Sequence, residues 1–537
     1  MLFNDNNNYS CMKKEQIYSR LAELSSYFSF GRILGYVAFF ETIGIEAQLI
    51  HGQDDRKSRM ISAELNFLAG LWMNNVELGK TWEISLDDRI IEEVYSLMDE
   101  IHNIFLSDDS VSGQFVETFL YEGDMSYDWQ SVYFAEKKYA DPNLCMVLQT
   151  QFKFNPNVLT STLSKIKHRL ESQIKRRIEE KKKKHDYISP MNAFTIKTNV
   201  ANKLFTREEL EVIDSLSFEL GKEVSKTQIS SMLDFNVFYQ HPIIKLPNNR
   251  GYFFVNEHAV SVAMNETPFY WLCDNSLFGK KIGTIRGDIA EQLVLAIVNR
   301  RFPNAFSHVD IKKRKSSNRI TDIDVFYSYK SDGVVFQVKS KRLTELSIKG
   351  DLESLERDCK AAIIDAHEQG LKCINCLKEA SQYYSLNKNG LAFAENLKFM
   401  YNICITLDAF PGIATICYLK NFVNQQNPIM AMSLYDLDTV FYLFLPNTIM
   451  DYFRFRYQCM LHGIYGINEV YYIGAYMANT LGEYPKLHNN KIPREYALFA
   501  DYIIKKSREC EFSNKDVDCD LFSLLRKYPL KAPITCQ

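Results

Sequence analysis

Apolar residues recur at helical spacing early in the chain, at Ile17, Leu21 and Leu24 and again at Ile91, Val94, Leu97 and Ile101. Side chains so spaced share one helix face, and residues 12 to about 135 read as mainly helical. Ser85-Leu86-Asp87-Asp88 offers a start signal for the second run, with Ser85 as N-cap and acids in the first turn. A third stripe joins Leu163, Ile166, Leu170, Ile174 and Ile178. Lys165, Lys167, Arg169, Lys175, Arg176 and Arg177 lie off it, and Lys181 to Lys184 extend the charge. A solvated surface helix accounts for this pattern better than a nucleic-acid contact does. His185 to Pro190 reads as a connector. Residues 190 to 275 mix helical segments with strand-like ones such as Gly251-Tyr252-Phe253-Phe254-Val255, and read as a layer leading into a core that begins near residue 276.

The period then changes from helical to two. Thr321-Asp322-Ile323-Asp324-Val325-Phe326 and Val334-Val335-Phe336-Gln337-Val338-Lys339-Ser340-Lys341-Arg342 alternate apolar and polar residues, as neighbouring strands do. On such strands Asp322 and Asp324 share a face, as do Gln337, Lys339 and Lys341. A turn at Ser331-Asp332-Gly333 closes them into a hairpin, setting carboxylates beside a lysine on a polar face. Sheet packing has little use for that arrangement, whereas phosphodiester hydrolysis does. A helix from Arg286 to about Arg301 and a strand around Phe306 to Ile311 precede the hairpin. A long helix over roughly Leu352 to Ala380 comes after it, with a stripe of Leu352, Leu355, Cys359, Ala362, Ile363, Ala366, Ile374 and Leu377, and then a strand at Tyr401 to Leu407. From about Thr448 to Gln537 the chain is rich in tyrosine and phenylalanine and again reads as helical.

Composition narrows the class without naming a function. The 537 residues suffice for two or three domains, and 46% hydrophobic with 24% charged residues is the balance of a soluble globular protein. Net charge is only −3, yet residues 280 to 349 carry fifteen Lys/Arg against seven Asp/Glu, a local excess of eight. A basic segment in a near-neutral protein points to a polyanion site. The opening residues lack a basic-then-apolar leader, and the apolar window Ile33 to Ile50 is broken by Glu41 and Glu46. The expectation is a cytoplasmic protein without a membrane helix, its twelve cysteines reduced. Cys373-Ile374-Asn375-Cys376 has no second pair at zinc-site spacing, and packing of two small side chains one turn apart explains it better.

The run from Arg286-Gly287-Asp288-Ile289-Ala290-Glu291 to Arg342 resembles the PD-(D/E)xK nuclease superfamily, the restriction-endonuclease-like fold. Within it, the likeness is to the Mrr-like and nuclease-related (NERD-like) branches and covers roughly residues 280 to 425. Glu291 matches the family's helix glutamate, Asp324 the strand aspartate, and Gln337 with Lys339 the Q-x-K variant. The resemblance implies an α/β core, a mixed central sheet flanked by helices, with mainly helical N-terminal and C-terminal regions. It implies Mg²⁺ or Mn²⁺ held by Glu291, Asp324, the Gln337 side chain and the Val338 carbonyl, with Lys339 orienting water or stabilising negative charge. Asp288, one turn before Glu291, competes for the helix position. His367 and Gln369 could reach the site in the family arrangement, though ordinary packing is the plainer role.

Beside this site Lys312-Lys313-Arg314-Lys315-Ser316-Ser317-Asn318-Arg319 is suited to phosphate contacts that do not read sequence, with Lys341 and Arg342 adding to it. The expected organisation is a helical domain over 1–150, a basic helix and mixed α/β connection over 151–275, the nuclease-like domain over 276–445 and a helical region over 446–537. The functional expectation is a metal-dependent nuclease, DNA before RNA, with a role in bacterial defence or restriction implied by the resemblance alone. The alternative is an inactive nuclease fold that binds nucleic acid or a partner within a larger complex. The helical regions offer surfaces for protein partners or a homo-oligomer.

Overall fold

A computed structural model describes residues 14–51, 60–106, 126–183, 190–222, 229, 231–279, 281–314, 316, 318–349, 351–385, 391–408, 410, 428–478 and 491–512. The chain forms two compact units, Met1–Ile282 and Gly283–Gln537. Among the described residues no helix is long and apolar enough to cross a membrane.

The first unit contains α1 (Lys14–Ser25), α2 (Phe30–His51), α3 (Ser62–Asn75), α4 (Asp87–Leu106), α5 (Asp128–Lys138), α6 (Pro142–Phe152) and α7 (Leu159–Lys183). After these come β1 (Thr195–Ile196), α8 (Thr198–Leu204), α9 (Arg207–Ser215), β2 (Ser217–Glu219), β3 (Ile243–Leu246), β4 (Gly251–Phe254) and α10 (Glu257–Cys273). The apolar stripes of α1 and α4 are buried, as their spacing predicts. Ser85 is not the N-cap of α4. It lies inside a 3₁₀ turn, Ile84–Leu86, and the helix opens at Asp87. The Asp87 carboxylate takes two bonds from Arg32 and one from Trp82 Nε1, which fixes the helix start from outside the local sequence.

The stripe of α7 faces inward, and two of its lysines are paired within the unit, Lys165 with Glu209 at 2.7 Å and Lys167 with Asp128. The small sheet has the order β1-β4-β3-β2. Ile244, Phe253 and Val255 are buried in the same apolar cluster as Ile17, Leu68 and Trp72 of the N-terminal helices. Alternation along a short strand says that one face is covered, but not by which partner.

The second unit opens with α11 (Ile282–Asn299) and continues with β5 (Phe306–Lys313), β6 (Arg319–Tyr329), β7 (Asp332–Lys339), α12 (Glu345–Ile348) and α13 (Leu352–Cys359). A π turn at Lys360–Ile364 joins α13 to α14 (Asp365–Lys378). Then come β8 (Tyr383–Tyr384), β9 (Phe399–Thr406), β10 (Met430–Ser433), α15 (Leu434–Leu443), α16 (Pro446–Leu461), α17 (Glu469–Met477) and α18 (Arg494–Phe512). The sheet runs β10-β9-β7-β6-β5-β8. β6 and β7 form the expected antiparallel hairpin, with Tyr329 opposite Asp332, so the turn falls on Lys330-Ser331 and Lys330 is left-handed at φ 55°. β7 pairs with β9 in parallel, which requires the crossover that α13 and α14 supply.

Both sheet faces are covered. On one, Val309, Ile311, Ile323, Phe326 and Val335 pack with Cys373, Ile374 and Leu377 of α14. On the other, Tyr327 stacks on Phe302 with ring centroids 4.1 Å apart and lies near Phe336 and Phe441. The described members of the long-helix stripe, Leu355 to Leu377, are buried; the Leu352 side chain lies outside the described residues. This is the helix–sheet–helix layering that allows a sheet buried on both sides.

Candidate functional site

The site forms where the hairpin loses its regularity. β6 and β7 are paired from Tyr329↔Asp332 to Val325↔Phe336, and the ladder ends there. Beyond it, the Val338 N–H donates to Asp324 Oδ2 at 2.7 Å, so a side chain takes the place of a strand carbonyl. β7 stays paired with β9 as far as Lys339↔Thr406, which holds Lys339 while its other neighbour parts from it. Side-chain alternation slips at the same level. Ile323 and Phe326, three apart on β6, both pack in the same apolar cluster, as do Phe306 and Val309 on β5. Between the latter pair His308 is left-handed at φ 56°, a conformation uncommon outside glycine.

These departures bring together Glu291 of α11, Asp322 and Asp324 of β6, Lys339 of β7 and Gln369 of α14. Asp324 is 5% exposed, contrary to the expectation of a polar, open face, because its carboxylate is drawn between the strands by the Val338 N–H. Burial raises its pKa to about 6, helped by Asp322 and opposed by the Val338 bond, Lys339 and His308. Glu291 is raised to about 7, chiefly by burial and then by Asp324, Asp322 and Asp288, with Lys339 opposing. Asp288, its competitor, is exposed. His308 Nδ1 lies 2.9 Å from Glu291 Oε2. A single histidine in a strand carries no spacing signal, and sequence reasoning passed over it.

Lys339 Nζ donates to Gln369 Oε1 at 2.9 Å, and Gln369 Nε2 donates to Asp322 Oδ1 at 3.0 Å. His367, two residues earlier, points elsewhere. It is 1% exposed and meets Asn402 Nδ2 at 3.2 Å, while Gly370 lets Asn402 approach, since a Cβ there would stand 1.9 Å from Asn402 Oδ1. Gln337 is wholly buried, its Nε2 donating to the Asp322 carbonyl at 2.9 Å and contacting Cys373 Sγ at 3.5 Å. Val338 contributes its N–H to Asp324. The Cys373 thiol, pushed up to about 12 by burial, donates to the Asp322 carbonyl at 3.1 Å, and Cys376 is buried beside the same core.

Of the basic residues singled out, Lys312 is half-buried on β5, Lys313 and Arg314 are exposed, and Lys315 lies outside the described residues. Arg319 pairs with Asp310 at 3.0 Å and Asp322 at 3.6 Å. Lys341 is engaged by buried Asp358 at 2.9 Å and Arg342 by Asp408 at 3.4 Å. Arg286 also pairs with Asp408 and donates to the Ser340 carbonyl, so these charges tie down the end of β7.

Burial of His367 has a consequence for acid stability. Its pKa is lowered to about 4 by burial, from an ordinary value of 6.5. Between those values the unfolded chain binds the proton and the folded one does not, so stability falls as pH drops from 6.5 towards 4. The full loss is roughly 3 kcal/mol. Urea melts of the wild type and His367→Gln at pH 7.5 and pH 4.5 should show the smaller acid loss in the variant; equal losses would place the proton elsewhere.

Among the described residues no three His, Cys, Asp or Glu side chains converge closely enough to hold a metal ion by themselves. Comparison with protein-family models, curated proteins and solved structures finds no match to this chain.

Proposed function

We propose that the second unit is a divalent-metal-dependent nuclease of the restriction-endonuclease-like kind, acting on phosphodiester bonds and on DNA before RNA. The observation that carries this reading is the coupled pair of raised carboxyl groups, Glu291 and Asp324, beside the Lys339 ammonium. Two acids raised chiefly by burial, with neighbouring carboxylates adding to it, suit a hard cation, and Mg²⁺ is commonly held by one or two carboxylates with water and substrate oxygens completing its shell. When bound, such an ion neutralises phosphate charge and lowers the pKa of coordinated water.

The residues have separable tasks in this reading. Asp324 is fixed by the Val338 N–H, so its free oxygen is presented without search. Lys339, held by Gln369, places a positive charge where the phosphate gains negative charge. Glu291, with a pKa near neutrality, can take a proton from water at its carboxylate. Lys313 and Arg314, with Lys312, provide phosphate contacts beside the site.

The direct test incubates the purified full chain with supercoiled plasmid, linear DNA and RNA, each with Mg²⁺, Mn²⁺ or EDTA. Cleavage that EDTA stops supports the reading; none with any substrate or ion removes it. For the basic edge, Lys312→Gln, Lys313→Gln and Arg314→Gln together should flatten the salt dependence of binding. The slope of log affinity against log salt should fall by about 0.9 per lost contact on duplex DNA, or about 0.7 on a single strand. An unchanged slope would show that this edge faces away from the substrate.

A further inference from the structure

The Asp322 carbonyl points at α14 and gathers three donors: Gln337 Nε2 at 2.9 Å, Cys373 Sγ at 3.1 Å and Gln369 Nε2 at 3.3 Å. A strand carbonyl ordinarily spends itself on the neighbouring strand, but the β6–β7 ladder has already ended at Val325↔Phe336. β5 still pairs with this stretch at Asp310↔Asp322, but on its β7 side the Asp322 carbonyl is held by side chains rather than by a strand. Gln337 makes the shortest of these bonds, and its side chain is 0% exposed. Its Oε1 is buried too and has no hydrogen-bond partner. An oxygen shut away from solvent is poorly placed to share a cation with water and phosphate.

We infer that Gln337 is a positioning residue that works through its amide nitrogen, clamping the Asp322 carbonyl so that Asp324 and Lys339 face each other, and that it does not coordinate the cation. The inference rests on the proposed nuclease function and replaces the ligand role that the Q-x-K resemblance implies for this residue. The physical distinction is sharp. A ligand acts through an oxygen, which glutamate would keep and strengthen; a clamp acts through N–H, which glutamate lacks when ionised. When ionised, Gln337→Glu would set a carboxylate oxygen against the Asp322 carbonyl in a buried place. Gln337→Met keeps the length and removes both the donor and the oxygen.

The test measures steady-state plasmid cleavage against Mg²⁺ concentration, and amide hydrogen exchange at Val338, for the wild type and both variants. Both variants are expected to lose about 10- to 100-fold in kcat, the scale of a slightly misplaced catalytic group, with KM and half-saturating Mg²⁺ nearly unchanged. Exchange at Val338 should quicken in both, because its acceptor Asp324 is no longer held, while Ile403 and Ile405 on β9 stay protected and certify the fold. A ligand role predicts the opposite: active Gln337→Glu needing less Mg²⁺, and Gln337→Met rescued by more. A merely structural role predicts a lower melting temperature with wild-type kcat at low temperature. Either result overturns the inference, as does unchanged exchange at Val338. If the wild type cleaves nothing, the nuclease reading fails, and exchange at Val338 still decides whether the clamp exists.

Discussion

Asp324→Asn is expected to abolish metal-dependent cleavage, by about three orders of magnitude or more in kcat, while raising the melting temperature at pH 8. On the proposed reading the first effect is the loss of a cation-binding carboxylate, with which several kcal/mol of charge stabilisation go. The second comes from linkage. Asp324 is shifted from 3.8 to about 6 and Glu291 from 4.5 to about 7. The folded state thus binds more protons than the unfolded one in these windows, and stability declines as pH rises through them. For Asp324 the penalty, up to roughly 3 kcal/mol, is essentially complete above pH 7; for Glu291 it is complete only well above pH 7; and both fade as pH falls below about 4. An asparagine removes the charge yet can still accept the Val338 N–H. The melting gain should therefore appear at pH 8, vanish near pH 4, and shrink when Mg²⁺ is added to the wild type. Scanning calorimetry at the two pH values, with Mg²⁺ and with EDTA, checks the sign. A variant that is less stable at pH 8 would mean that Asp324 is a structural acid rather than one held ready for a cation.

Lys339→Met should also lose cleavage, by about 100- to 1,000-fold, because a fixed charge near the developing negative charge is removed. Its effect on stability has the opposite sign. Lys339 holds down the pKa of both Glu291 and Asp324, so without it the carboxylates repel each other unrelieved. Metal-free Lys339→Met should melt below the wild type at pH 8 and approach it near pH 4. Two variants that both lose activity but move the melting temperature in opposite directions would be hard to reconcile with a general folding defect. Wild-type cleavage by Lys339→Met would remove the lysine from the site.

The clamp on Asp322 gives the helix after β7 a reason to be where it is. Gln369, Cys373 and the crossover that carries them also link β7 in parallel to β9, so the same element that closes the sheet fixes the polar end of the hairpin. Gln369 holds Lys339 and Asp322 together, whereas His367 on the same helix turns to Asn402. Two residues apart on a helix, these side chains look in different directions.

Period alone settled the strands β6 and β7, the buried stripe from Leu355 to Leu377, and the inward faces of α1, α4 and α7. Each depends on which residues repeat at which spacing, and that is written locally. The placing of Asp324 near Lys339 was legible from the hairpin pattern, whereas Glu291 was named only through the resemblance. What the sequence left open depended on partners far along the chain. Asp324 is buried because Val338 offers an N–H after the ladder ends. Gln337 turns its nitrogen to Asp322 because Cys373 and Gln369 already stand there. His308 reaches Glu291 because one left-handed residue slips the alternation of β5. The strands at 243–254 joined the N-terminal helices because those helices carried the apolar surface that covers them. Alternation records that a face is hidden, and helical spacing records which side faces in. Neither records what lies opposite, since that is decided by long-range packing and by which buried polar groups can find partners.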